Sequence, residues 1–256
     1  MAKKKPFRGR AGREASNRAK SGKIYLYGRH AVEAALDNPD RVCRKLFTTP
    51  EIAQKYHLPS DLAVEQGDGA ALARMVPGDA PHQGLVLEVD ALPHVHLDEL
   101  WAGGGDPRPI LVLDQVTDPH NVGAIIRSAA AFGAAGIVTQ DRHSPPESGA
   151  LAKAASGALE RLPWARVTNL SRALEEIAEA GYWRIGMAGE AADTLPAAQR
   201  GDMPACLVLG AEGDGLRPNV AGHCDVLARL PISDAVESLN VSNAAAVALY
   251  EVTRRS

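Results

Sequence analysis

The chain has 256 residues, 45% hydrophobic and 4% aromatic, enough to bury a core in one large domain or in a small domain joined to a medium one. Its apolar runs are short, Ile110 to Leu113 and Cys206 to Leu209 among them, so neither a membrane span nor a secretory segment is expected. The three cysteines, Cys43, Cys206 and Cys224, are odd in number and form no C-x-x-C pair; this argues against a disulfide framework or a cysteine zinc site and fits a reducing cytoplasm.

A formal net charge of -3 hides an asymmetry. Residues 1–23 hold nine Lys and Arg against the single acid Glu14. Such an arm, without aliphatic periodicity, is expected to be disordered and to approach phosphates through counterion release. It also fits a solvated tail and, less well for want of an amphipathic face, a transit peptide.

After the arm, Ile24 to Tyr27 reads as a strand, and Gly28-Arg29-His30 turns into a short helix over Ala31 to Leu36 that stops near Asn38-Pro39. Val42 to Thr48 reads as a second strand and Gln83 to Val89 as a later one, giving a small α/β module over 24–91. Residues 92–108, Gly- and Pro-rich around Gly103-Gly104-Gly105-Asp106-Pro107, read as a linker.

From residue 109 strands alternate with helices. Strands are predicted over Ile110 to Leu113, Gly136 to Thr139, Arg184 to Met187, Cys206 to Leu209 and Val226 to Leu230. Helices are predicted over Val122 to Phe132, Ser171 to Ala180 and about Asn240 to Thr253, the last with Val241, Ala245, Ala248, Leu249 and Val252 on one face. This alternation implies an α/β domain with a mainly parallel sheet, whose ligand loops follow the carboxyl ends of its strands, after Leu113, Leu209 and Leu230.

In the first loop Asn121 precedes a helix, Gly123 admits a ligand or another backbone, and Arg127 lies one turn beyond Gly123. Asn121 fits a helix cap and Arg127 a surface ion pair equally well. The second loop, Gly210-Ala211-Glu212-Gly213-Asp214-Gly215, is neither a dinucleotide fingerprint nor a phosphate loop. It reads either as backbone lining a small cationic or neutral ligand or as a plain tight turn. In the third, Ser238, Asn240 and Ser242 offer more caps than one helix needs.

Taken in this order, the loops resemble the three motifs of the SpoU/TrmH branch of the SPOUT RNA ribose methyltransferases, above all through Ser238-Leu239-Asn240-Val241-Ser242-Asn243-Ala244. The first half is similar to that family's accessory RNA-binding domain, of the ribosomal L30e/L7Ae type, through Tyr27-Gly28-Arg29-His30-Ala31-Val32 and His82-Gln83-Gly84. The resemblance implies a C-terminal trefoil knot, which default topology rules would not suggest. It implies S-adenosylmethionine as cofactor, held by Gly210, Leu230 and Leu239, and a catalytic set of Asn121, Arg127, Glu212, Ser238 and Asn240, with no metal. It implies structured RNA as substrate, nearest to a guanosine ribose of large-subunit ribosomal RNA with tRNA as the alternative, and a homodimer in which Ala244 to Ala246 allow close helix approach. The family carries a glycine where this chain has Asp234, so a different loop conformation or an added charge near the sulfonium is expected there. Arginine is a poor base with its pKa above about 12, so Arg127 is expected to anchor phosphate and orient the hydroxyl.

Two other readings stay in view. A nucleotide-dependent oxidoreductase shares the α/β alternation but lacks its glycine fingerprint. A noncatalytic RNA-binding assembly factor fits the arm and the small module, but would not need Asn121, Arg127, Glu212 and Asn240 together. His94, His96, Asp98 and Glu99 could be drawn as metal ligands, yet they lack a partner cluster.

Overall fold

The computed structural model describes residues 23–55, 60–78, 80–101, 107–233 and 235–254. The basic arm before Lys23, part of the glycine-rich linker and Asp234 lie outside the described residues.

The first module contains β1 (Ile24–Tyr27), α1 (Arg29–Asp37), β2 (Cys43–Thr48), α2 (Pro50–Lys55), β3 (Ala63–Gln66), α3 (Gly69–Ala73) and β4 (Leu85–Val89). Its sheet runs β1-β4-β2-β3, with β4 antiparallel to both β1 and β2 and β2 parallel to β3. Leu26, Leu46, Leu85 and Leu87 face inward from it.

The second module contains β5 (Ile110–Leu113), α4 (Pro119–Ala131), β6 (Gly136–Gln140), α5 (Gly149–Ala155), β7 (Trp164–Val167), α6 (Leu170–Glu179), β8 (Trp183–Met187), β9 (Asp193–Thr194), α7 (Leu195–Ala198), β10 (Ala205–Leu209), α8 (Pro218–Ala221), β11 (Val226–Arg229) and α9 (Val241–Thr253). The seven strands are all parallel in the order β7-β6-β5-β10-β8-β11-β9. Both faces are covered, as a parallel sheet requires. Leu111, Leu113, Leu207 and Leu209 point into one core with α4 and α9, while Ile110, Val112, Cys206 and Val208 point into another with α6. That alternation is the period of two along β5 and β10. Glycines stop two helices: Gly133 (φ 70°) after α4 and Gly181 (φ 91°) after α6 adopt the left-handed conformation that closes a helix end.

Strand β10 inserts between β5 and β8, so the chain leaves β5 toward one edge of the sheet and returns on the other side. A crevice outside the carboxyl ends at such a reversal is where open α/β sheets bind ligands. The segment between the modules is partly structured: Val95 bridges to Ala165 on β7, and Leu100, in a short helical turn over Leu97–Trp101, is buried in the second core. Glu99 receives the backbone N–H of His96 at 2.8 Å, which puts it in that turn's own hydrogen bonding. Among the described residues no helix is long and apolar enough to cross a membrane.

Candidate active site

The three loops converge. Strands β5 and β10 pair in register, Leu113 beside Leu209, and the Asp114 N–H donates to the Leu209 carbonyl at 2.8 Å. The segments that follow these strands therefore leave the sheet side by side.

Asp118 caps α4, accepting the His120 N–H at 2.9 Å, with Pro119 in the first turn. The cap is thus already supplied, and Asn121 is released from that duty. Its amide instead donates from Nδ2 to Glu212 Oε1 at 3.2 Å and accepts at Oδ1 from Asn240 Nδ2 at 3.1 Å. Asn240 does cap α9: its Oδ1 receives the Ser242 N–H at 2.9 Å and the Ser242 hydroxyl at 2.5 Å. Because the cap occupies Oδ1, Nδ2 must point the other way, where it meets Glu212 Oε1 at 2.5 Å. The Val241 N–H adds a longer bond to the same oxygen at 3.4 Å. Asn121, Glu212 and Asn240, one from each loop, close a hydrogen-bonded triangle. No described residue bonds the second carboxylate oxygen of Glu212.

Of the two alternatives that the sequence left open, the glycine loop takes the tight turn. Ala211 and Gly215 exchange two backbone hydrogen bonds of 3.0 Å, and Gly213 and Gly215 take φ values of 86° and 65°. A Cβ at Gly210 would strike the backbone of Gly215 and Leu216. The loop is therefore a tight turn, with Ala211 and Gly215 spent on each other, and it presents Glu212.

Gly123 admits a backbone rather than a ligand: a Cβ there would meet the Leu151 carbonyl and the Ala154 methyl of α5. Arg127 is exposed and bonded to no described residue. Ser238 is also exposed, is not the cap of α9, and makes no bond to the triangle. Leu230 and Leu239 are half-buried at the two ends of the third loop, and the Leu230 carbonyl accepts the Ile232 N–H at 3.0 Å. Ala245, expected in a dimer contact, is fully buried in the chain's own core against α4.

One constellation escaped the sequence reading. Asp114 is fully buried and receives two hydrogen bonds from Arg217, the backbone N–H at 3.0 Å and Nε at 2.8 Å, with Nη2 in ion-pair contact at 2.6 Å. Arg217 Nη2 also reaches Gln140 Oε1 at 3.0 Å, linking the ends of β5 and β6 to the glycine loop. Gln115, next along, is held at φ 60°, a region costly for a side-chain-bearing residue. An aspartate ending an apolar run was the available signal. Nearby, burial pushes the Cys206 thiol up and the Cys224 thiol up to about 12, so neither is a thiolate nucleophile at neutral pH.

Residues 108–250 match the family model described as SpoU rRNA methylase, and residues 25–95 match that for RNA 2'-O ribose methyltransferase substrate binding. The chain belongs to the SpoU rRNA methylase family. Among its relatives, the 23S rRNA (guanosine-2'-O-)-methyltransferase RlmB of Ralstonia nicotianae is 40% identical over 90% of this chain and 95% of its own. An uncharacterized tRNA/rRNA methyltransferase of Synechocystis is 37% identical over 94% of this chain, which spans 65% of that longer relative. The crystal structure of the SpoU methyltransferase AviRb from Streptomyces viridochromogenes shares the fold at a TM-score of 0.77, covering 91% of this chain and 90% of that one at 22% identity. In this SpoU chain the triangle joins all three loops of the methylase match.

Proposed function

We propose that the protein transfers a methyl group to a ribose 2'-hydroxyl of RNA, with S-adenosylmethionine as donor and a guanosine of large-subunit ribosomal RNA as target. The observation that carries this reading is the triangle of Asn121, Glu212 and Asn240, assembled from three loops at the reversal point of the sheet.

The residues present fit the donor. Among the described residues of the loop over 231–239, the bond from the Ile232 N–H is the one backbone hydrogen bond formed. The remaining backbone groups of those described residues are available to an adenosyl group, and Gly210, Leu230 and Leu239 bring no competing positive charge. When bound, the donor would supply a methyl group on a cationic sulfonium: the ribose oxygen would take the methyl in line, the sulfur would keep the bond pair as a neutral thioether, and the hydroxyl proton would leave late to phosphate or water. Asn121 and Asn240 fix the Glu212 carboxylate, whose free oxygen accepts a hydrogen bond from substrate. Arg127 anchors a phosphate beside the target ribose; its guanidinium stays protonated and orients the hydroxyl rather than removing its proton. Ser238 adds a hydroxyl from the exposed loop.

In this reading residues 24–91 bind RNA, 92–108 connect, 109–256 transfer the methyl group through a knotted C-terminal segment, and the basic arm over 1–23 adds phosphate contacts. Two copies pair through the outer face of α9, where Val247 and Tyr250 are exposed. The test is to map 2'-O-methyl positions in total RNA from cells with and without the active protein. Loss of one guanosine site in large-subunit rRNA is expected. Loss of a tRNA site would move the substrate, and no change anywhere would overturn the reading.

A further inference from the structure

Arg41, in the loop between α1 and β2, is a charged side chain with no exposed surface. Its guanidinium reaches both flanks of α5 in the other module. Nε and Nη2 donate to Glu160, at the end of the short helical turn Ala158–Glu160 that follows α5, at 3.0 and 2.5 Å. Nη1 donates to Glu147, the residue before the α5 cap Ser148, and to the Asp90 carbonyl at 2.8 Å. The carboxylates are shared further: Glu160 also receives Asn38 Nδ2 at 2.8 Å, and Glu147 receives the Leu92 N–H at 3.0 Å. One cation therefore ties the first module, the start of the connector and the segments before and after one helix.

The two modules also meet without slack along α5. A Cβ at Gly149 would strike the Tyr25 carbonyl and the Tyr27 ring, and one at Gly157 would lie 3.0 Å from the Ala34 methyl and 3.1 Å from the His30 carbonyl. A second polar bridge joins them where Gln83 Oε1 accepts from Lys153 Nζ and from the Arg29 N–H, both at 3.0 Å. Helix α5 in turn bears on Gly123 of α4, two residues from Asn121 and four from Arg127. An unbroken line of close contacts thus runs from the RNA-binding module to the helix that carries two of the candidate site residues.

We infer that the Arg41–Glu147–Glu160 clamp is a positioning device that holds the RNA-binding module at a fixed distance and angle from the methyl-transfer site, and so selects which ribose is methylated. The inference rests on the methyl-transfer reading above. A buried ion cluster adds little stability that apolar side chains of equal volume would not supply. What it adds is direction: a guanidinium fork accepts carboxylates only in certain orientations. Aligning reactants is a large part of what an enzyme gives to a displacement, and an error of about 1 Å is enough to slow it a hundredfold.

The test compares the full-length wild type with Arg41→Met, Glu160→Gln and Arg41→Lys. S-adenosylmethionine binding by calorimetry counts folded sites, and a large-subunit rRNA transcript is mapped for 2'-O-methyl positions. Arg41→Met and Glu160→Gln should bind cofactor at unchanged stoichiometry, lose roughly tenfold or more in rate per cofactor site, and spread methylation to neighbouring riboses. Arg41→Lys should recover part of the positional selectivity. Single-site methylation at the wild-type rate in the Met variant would overturn the clamp, as would a rate that falls only in step with cofactor stoichiometry. If the wild type binds cofactor but leaves the transcript unmodified, the substrate reading falls, and amide hydrogen exchange then judges the clamp. Faster exchange in Arg41→Met confined to β1 and α5 supports it, and uniform or unchanged exchange overturns it.

Discussion

Asn240 performs two tasks with opposite ends of one amide, and each can be removed separately. Its Oδ1 caps α9 while Nδ2 holds Glu212 and Asn121. An Asn240→Asp substitution keeps an acceptor for the cap but sets a second carboxylate against Glu212, and like charges at that distance resist joint ionisation. The expected result is methyl transfer reduced about a hundredfold or more at neutral pH, while circular dichroism shows α9 retained. Full activity in this variant would show that the triangle is scaffolding. Arg127→Lys separates anchoring from titration. Lysine keeps the charge but not the fork, so kcat/KM should drop by about a hundredfold without a new ionisation in the pH-rate profile. Near-normal turnover with a shifted profile would sink the anchoring role. At this scale the residues by themselves left Asn121 and Asn240 as caps and Glu212 in a turn, and the resemblance of the three loops to the SpoU/TrmH motifs is what marked them as candidates. The sequence hid the Asp114–Arg217 pair, whose members are 103 positions apart and meet only after β5 and β10 pair.

Helix α4 shows how element packing decides between readings that sequence leaves even. Asp118 takes the cap and so frees Asn121, and Gly123 is filled by the α5 backbone and so binds nothing else. The second does not follow from the segment itself, because α5 is a seven-residue run of Ala, Leu, Gly and Lys without a strong period. Other elements were legible for the opposite reason: β5 and β10 are continuous apolar runs followed by Asp114 and Gly210, and α6 and α9 carry a period of 3.6 behind polar caps. Two-residue β9 and four-residue α7 and α8 are too short for either period to register. Gly123→Ala tests the seam. Alanine would gain about 1 kcal/mol of intrinsic helix propensity, but its methyl would lie 2.6 Å from the Ala154 methyl and press on a backbone carbonyl that cannot rotate away. Overpacking of this kind costs about 1–3 kcal/mol, so the clash should win and Tm should fall, with transfer activity falling alongside because Asn121 moves with the helix. An unchanged or raised Tm in a thermal melt would show slack between α4 and α5.

Across the whole chain, one apolar core spans both modules: Leu26, Leu46 and Leu87 of the first sheet belong to the same cluster as Leu111, Ile125 and Leu207 of the second. The alternating pattern announced a parallel sheet, but not that β10 would lie between β5 and β8, since strand order is set by crossovers that leave no local period. The same separation of local from global applies to assembly. Helix α9 spends Val241, Ala245, Ala248 and Leu249 on its own core, leaving Val247 48% and Tyr250 57% exposed on the outer face. The third loop adds Ile232 at 40% and Val236 at 52%. Four sizeable apolar side chains clustered in one stretch of sequence, around the helix that Asn240 caps, are a poor bargain for a solitary chain unless a second copy covers them. Val247→Glu places a charge where a twofold contact would bury it twice, once from each copy. Sedimentation equilibrium should give twice the chain mass for the wild type and a shift toward 27.0 kDa for the variant. Because Asn240 caps α9, separation of the copies should also weaken S-adenosylmethionine binding, by about tenfold if the third loop leans on the partner. A wild type that sediments as a monomer at micromolar concentration would refute the pairing, and a monomeric variant with undiminished cofactor affinity would confine the interface to assembly alone.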